Sequence, residues 1–236
     1  MKCKICFAVV GIAAITTSIA LAQNSKDAPK PKTPAAPSAQ PSHAAPPEMQ
    51  LPEGWTEADM QACMVAATPG PEHAKLAEST GVWHGKTSMW MAPDTEPMKS
   101  TCTSTITPFM DGRFIKCETT GDMPGMGPFN GFGIYGFDNA SKKFQATWVD
   151  NCGTGIMNGT GEMSSDGKTL TWTYAYTCPV NKKPTTMREV HTHTGKDTQT
   201  LEMFMTDPKS GKEFKMMEIA LTRQPGASAT AVGKER

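Results

Sequence analysis

From Gly81 onward, apolar and polar residues alternate with a period of two, and clusters of turn-forming residues interrupt the alternation again and again. The interruptions fall at roughly the 8 to 12 residue spacing of all-β barrels and sandwiches. The pattern predicts ten strands, near residues 82–91, 99–107, 113–120, 130–138, 143–150, 155–163, 169–177, 185–194, 199–206 and 213–222. Asp111-Gly112, Asp138-Asn139, Ser165-Asp166-Gly167 and Gly195-Lys196-Asp197 are among the turns between them, and such residues tolerate positive φ or fix a turn. Every connection has hairpin length, so the predicted fold is all-β: a roughly ten-stranded antiparallel up-and-down barrel, closed because closure removes exposed edges. The helical candidate lies between Met60 and Thr80. Ala58 to Ala67 is rich in helix formers, Thr68-Pro69-Gly70-Pro71 breaks the run, and Glu72 to Glu78 can form a further short helix.

The chain before the barrel carries no such alternation. Residues 1–22 hold Lys2 and Lys4, an apolar stretch from Ile5 to Ala20 and the small-residue pattern Ala20-Leu21-Ala22, which together predict a secretory signal cut before Gln23. Cys3 and Cys6 precede the apolar core and would leave with it, which sets lipidation aside. The alternative is an uncleaved anchor, because the stretch is near the lower limit of about 17 residues for spanning a bilayer. Residues 23–51 are Pro, Ala, Ser and Lys with almost no large apolar side chain, a composition that gives a semi-rigid spacer and no core. The barrel domain is expected over 52–223 and a small, polar tail over 224–236. The expected location is exported, either periplasmic or extracellular.

Charge adds an exclusion. Lys+Arg 23 against Asp+Glu 23, with no basic cluster interleaved with aromatics, leaves no field to draw nucleic acid or an anionic membrane. No Gly-x-Ser-x-Gly elbow, Walker loop, dinucleotide fingerprint or catalytic Cys/His signature occurs, and no cofactor is implied.

Gly81-Val82-Trp83 on the first strand and Arg223 just after the run Met216 to Leu221 resemble the closing elements of lipocalin- and calycin-type barrels. There the Trp plugs the narrow end, and the Arg stacks on its indole face as a cation on a π surface. The chain also resembles the domain-of-unknown-function 1579 family. The matching segments are Glu72-His73-Ala74-Lys75-Leu76, Gly81-Val82-Trp83, Asp111-Gly112-Arg113-Phe114, Phe129 to Asp138, Trp148-Val149-Asp150-Asn151, Gly153 to Met157, Arg188-Glu189-Val190 and Glu213 to Arg223. The resemblance implies a calycin-like barrel and no particular reaction.

Removal of the signal would leave five of the seven cysteines, an odd number, in an oxidising compartment. A turn at Ser165-Asp166-Gly167 puts Cys178 roughly opposite Thr154, near Cys152, so Cys152 and Cys178 are the expected disulfide; Cys102 and Cys117 fall about four residues out of register. Glu189, His191 and His193 share one strand face, and the two imidazoles are a weak metal candidate, with haem ligation weaker still. Thr192, Thr194 and Lys196 nearby suggest instead that this face is solvated. The 17 methionines could suit Cu(I), but Met more often fills irregular cores and adaptable cavities.

Arg188, Glu202 and Glu218 interrupt apolar strands, and Trp148, Trp172 and Tyr174 offer flat surfaces for a ligand wall. These six are the candidate ligand-binding residues, with Arg188 and Glu218 paired inside the barrel because a buried charge requires a partner. The leading expectation is a small apolar or amphipathic molecule bound in the barrel. The rivals are an enzyme using cavity carboxylates such as Glu202 or Glu218, and a structural envelope protein with a solid barrel.

Overall fold

A computed structural model describes residues 51–226. The expected signal at 1–22, the spacer at 23–51 apart from Leu51, and the tail beyond Gly226 lie outside the described residues.

Two short helices precede the sheet. Helix α1 (Glu57–Ala67) starts at Thr56, whose hydroxyl accepts from the Asp59 amide at 3.2 Å while the Asp59 carboxylate accepts from the Thr56 amide at 2.8 Å. This reciprocal capping box satisfies two donors that the first helical turn leaves free, and it explains a start three residues before the predicted Met60. Helix α2 (Pro71–Ala77) begins with Pro where the missing N–H costs nothing, and the Gly70 amide donates to Nδ1 of buried His73 at 3.0 Å.

The strands are β1 (Gly81–Met89), β2 (Met98–Phe109), β3 (Phe114–Met123), β4 (Gly127–Asp138), β5 (Lys143–Asp150), β6 (Met157–Met163), β7 (Thr169–Thr177), β8 (Pro184–Gly195), β9 (Thr198–Thr206) and β10 (Glu213–Arg223). Each pairs antiparallel with its chain neighbours, and β10 returns to pair with β1, giving a closed ten-stranded meander. This is the predicted architecture, with differences confined to strand ends. Met110 and Asp111 reach φ of 49° and 55° and Gly112 reaches 79°, the left-handed backbone that reverses β2 into β3.

Closure brings the two ends of the domain together in register, Trp83 opposite Arg223 and Gly85 opposite Leu221. Trp83 is wholly buried, and the Arg223 guanidinium carbon lies 4.1 Å from its ring centroid, so the closing pair exists as the resemblance implied. The pair ties down the chain entering β1. The indole N–H donates to the Ser79 carbonyl at 2.8 Å, and Arg223 donates to the carbonyls of Glu78 and Thr80 and to Asp197. Helix α2 sits at this same end, with Leu76 buried in the core and His73 edge-on to Phe137.

Alternation along each strand sends one set of side chains inward. Glycine faces inward at several positions because neighbouring aromatic rings need the room. A methyl group on Gly161 would come within 2.8 Å of the Trp172 ring, one on Gly159 within 2.7 Å of Tyr174, and one on Gly131 within 2.3 Å of Trp148. Three large rings thus lie flat against a wall stripped of side chains, and Tyr135, Phe137, Phe144 and Trp172 continue edge to face around it.

Candidate functional site

The interior is not packed solid. A cavity of about 190 Å³ runs from Leu76 and Trp83 at the closed end to Met123, Pro124 and Phe129 at the other. One water needs about 10–15 Å³, so the space is an order of magnitude larger than a hydration site. Its wall is chiefly thioether, aliphatic and aromatic. Met187 on β8, Met203 on β9 and Met217 on β10 project into it beside the rings of Trp148, Trp172 and Tyr174. All three aromatic residues expected in a ligand wall therefore line the cavity.

The charged residues expected there do not. Arg188 faces outward, pairing with Glu213 at 2.8 Å and lying 4.0 Å over the ring of Phe204. Glu202 and Glu218 also face outward and share Lys215, so the proposed Arg188–Glu218 pair inside the barrel does not form. The reason is the strand period itself. Leu201 and Met203 point inward, so the residue between them must point outward, and a charge flanked by apolar neighbours marks the outer wall. A cavity-carboxylate enzyme built on Glu202 or Glu218 loses its site with them.

Glu189 supplies a buried acid to the cavity wall instead. On β8 it pairs across with Trp172 of β7 and Met203 of β9, both inward-facing, and only 4% of it is exposed. Its Oε1 lies 2.7 Å from Nε2 of His191, two residues along the same face. The face expected to be solvated is the cavity wall, because Thr192 and Thr194 belong to the opposite face of the strand. Around this pair stand Tyr135, Tyr174 and Cys117. Burial pushes both phenols well above their ordinary range, and the nearby Glu189 carboxylate adds to the shift. Burial pushes the Cys117 thiol up to about 11. Each of these groups is accordingly held neutral at physiological pH. Toward the closed end, burial first and then the Lys75 charge lower the pKa of His193.

Among the described residues no three His, Cys, Asp or Glu side chains come together in a way that could hold a metal ion, so His191 and His193 find no third ligand of those types. Nor is any described helix long and apolar enough to cross a membrane. Cys152 and Cys178 are free thiols, which corrects the expected disulfide. The β6–β7 ladder ends at Asn158 opposite Ala175; Cys178 has already turned into the next connection, where its amide donates to the Lys183 carbonyl. Cys152 points elsewhere, its Sγ lying 3.2 Å from the sulfur of Met123. Cys102 and Cys117 stand four residues out of register, as expected, with Cys102 opposite Gly121 and Cys117 opposite Ile106.

Residues 68–223 match the family model described as "Protein of unknown function (DUF1579)", and the chain belongs to that family. Among solved structures, it is similar to that described as "Crystal Structure of Rv2717c from M. tuberculosis". The identity is 15%, the match covers 66% of this chain and 99% of that one, and the TM-score is 0.49. No curated protein is significantly similar to the chain.

Proposed function

We propose that this family member is an exported carrier or receptor that holds a small, largely apolar molecule inside its barrel. The observation that carries the reading is the cavity: a barrel of this size can be filled by its own side chains, yet about 190 Å³ stays open along a Met- and aromatic-lined wall. Thioethers suit an apolar ligand because Met has three rotatable bonds and a polarisable sulfur, and so adapts to more than one shape. Export rests on the sequence pattern of residues 1–22.

The test is occupancy. Native mass spectrometry of protein purified from its own source should show an added mass that disappears on denaturation. The emptied protein should bind the neutral probe N-phenyl-1-naphthylamine saturably, with energy transfer from Trp148 and Trp172 that weakens in Trp148→Phe. Neither a retained mass nor saturable probe binding would favour the structural envelope role instead.

A further inference from the structure

Resting on that reading, we infer that the ligand carries an uncharged head able both to donate and to accept a hydrogen bond, a hydroxyl or primary amide, and that the barrel discriminates against carboxylates. Tyr174 is 2% exposed and lines the cavity, and among the described residues its hydroxyl finds no partner in hydrogen-bond geometry, its nearest polar neighbour being the Tyr135 phenol, itself a donor. A buried hydroxyl without a partner is costly, and such groups are rare in folded proteins. A ligand acceptor at this level would satisfy it. The phenol stays protonated at any physiological pH because burial disfavours the phenolate, so it is a donor to the ligand.

The same level of the barrel holds Glu189. Its Oε1 is engaged by His191, and Oε2 has no hydrogen-bond donor among the described residues. A ligand O–H or N–H could donate to Oε2 while its own oxygen accepts from Tyr174. An anionic head there would share a low-dielectric space with the Glu189 carboxylate, and like charges in one site repel.

The remaining titratable groups at this level are His191, bonded to Glu189, and Tyr135 and Cys117, both held neutral by burial; the other charged cavity groups lie away from it. Lys75, paired with Glu78, Lys168 and His193 gather at the closed end, whereas Asp122 stands near the other. Acidic heads have no guanidinium to meet, since Arg188 is outside the barrel and Arg223 is committed to Trp83, Asp197 and the backbone before β1.

The experiment measures dissociation constants of the emptied full-length protein for four probes of equal chain length: octane, octan-1-ol, octanamide and octanoate. Displacement of N-phenyl-1-naphthylamine at pH 7.5 is the readout. Octan-1-ol and octanamide should bind roughly tenfold tighter than octanoate, the scale of one net hydrogen bond with an added charge penalty. Tyr174→Phe should weaken the alcohol and amide by about fivefold and leave octane unchanged. Glu189→Gln, of the same shape without the charge, should remove the bias against octanoate. Thermal unfolding of each variant establishes that it is folded, and the wild-type comparison needs no variant at all. Octanoate binding as tightly as octan-1-ol to the wild type would overturn the assignment of the head while leaving a bound apolar molecule standing. Failure of all four, octane included, would overturn the ligand-binding reading itself.

Discussion

Trp83→Ala should be among the most damaging single substitutions in the domain, and the structure sets its scale. An aromatic side chain buries about 150–250 Å² on folding, and at about 25 cal/mol per Å² complete burial is worth roughly 4–6 kcal/mol. Trp83 is wholly buried, so nearly all of that is at stake. Partial collapse of the barrel end returns some of it, while the Ser79 carbonyl loses its indole donor. The expected loss is about 3–5 kcal/mol, or a fall in Tm of roughly 6–20 °C for a domain of this size. Urea and thermal unfolding should be followed by far-UV circular dichroism, because the substitution itself changes the fluorescence. Arg223→Ala should cost less, about 1–3 kcal/mol, since water can replace part of its bonding to exposed carbonyls. In a double-mutant cycle the pair should couple by about 1 kcal/mol, the stacking contribution at 4.1 Å. A loss below about 1 kcal/mol for Trp83→Ala, on the scale of an ordinary surface change, would refute the claim that this pair closes the barrel.

Three further predictions concern Cys117, His193 and Arg188, groups whose faces the closed sheet fixes. Cys117, its thiol pushed up to about 11 by burial, should resist iodoacetamide in native protein at pH 8 and react on unfolding, whereas exposed Cys63 and Cys152 should react in the folded protein; mass spectrometry of the alkylated peptides decides it. His193 has a folded-state pKa lowered by burial, so the unfolded chain takes up its proton first. Its stability contribution is therefore intact above about pH 6.5 and is lost as the pH falls below that value, and His193→Gln should flatten the slope of stability against pH there. Arg188→Met should leave binding of N-phenyl-1-naphthylamine unchanged and cost under about 1 kcal/mol, because its ion pair with Glu213 lies on the outer wall. A binding loss in that variant would place Arg188 on the ligand path after all.

The barrel was legible because its evidence is local and repeated. Each turn cluster fixes a hairpin, each hairpin leaves only antiparallel neighbours, and ten consecutive hairpin-linked strands have few ways to hide their first and last edges other than against one another. Positions at strand ends were less legible. The β2–β3 connection shows why: strand β2 continues through Pro108 to Phe109, and the reversal is made by Met110 and Asp111, a pair whose positive φ values no residue preference demands as strongly as Gly112 does.

The site was harder to read because function here depends on which of two faces points inward, and a slip of one residue exchanges them. Trp148, Trp172 and Tyr174 announce themselves by size. Glu189 does not, since its immediate neighbours Arg188 and Val190 suggest nothing about its phase, and the threonines after His191 suggest water. The signal that could have found it lies across the sheet. Leu170, Trp172 and Tyr174 form one inward row on β7, and their partners on β8 are His191, Glu189 and Met187, so an inward Trp172 obliges Glu189 to face inward as well. The same logic expels Arg188, opposite Thr173, and carries across β9 to expel Glu202, opposite Val190. Large apolar side chains therefore set the phase of the wall, and the chemistry of the interior follows from whichever polar residues fall in step with them.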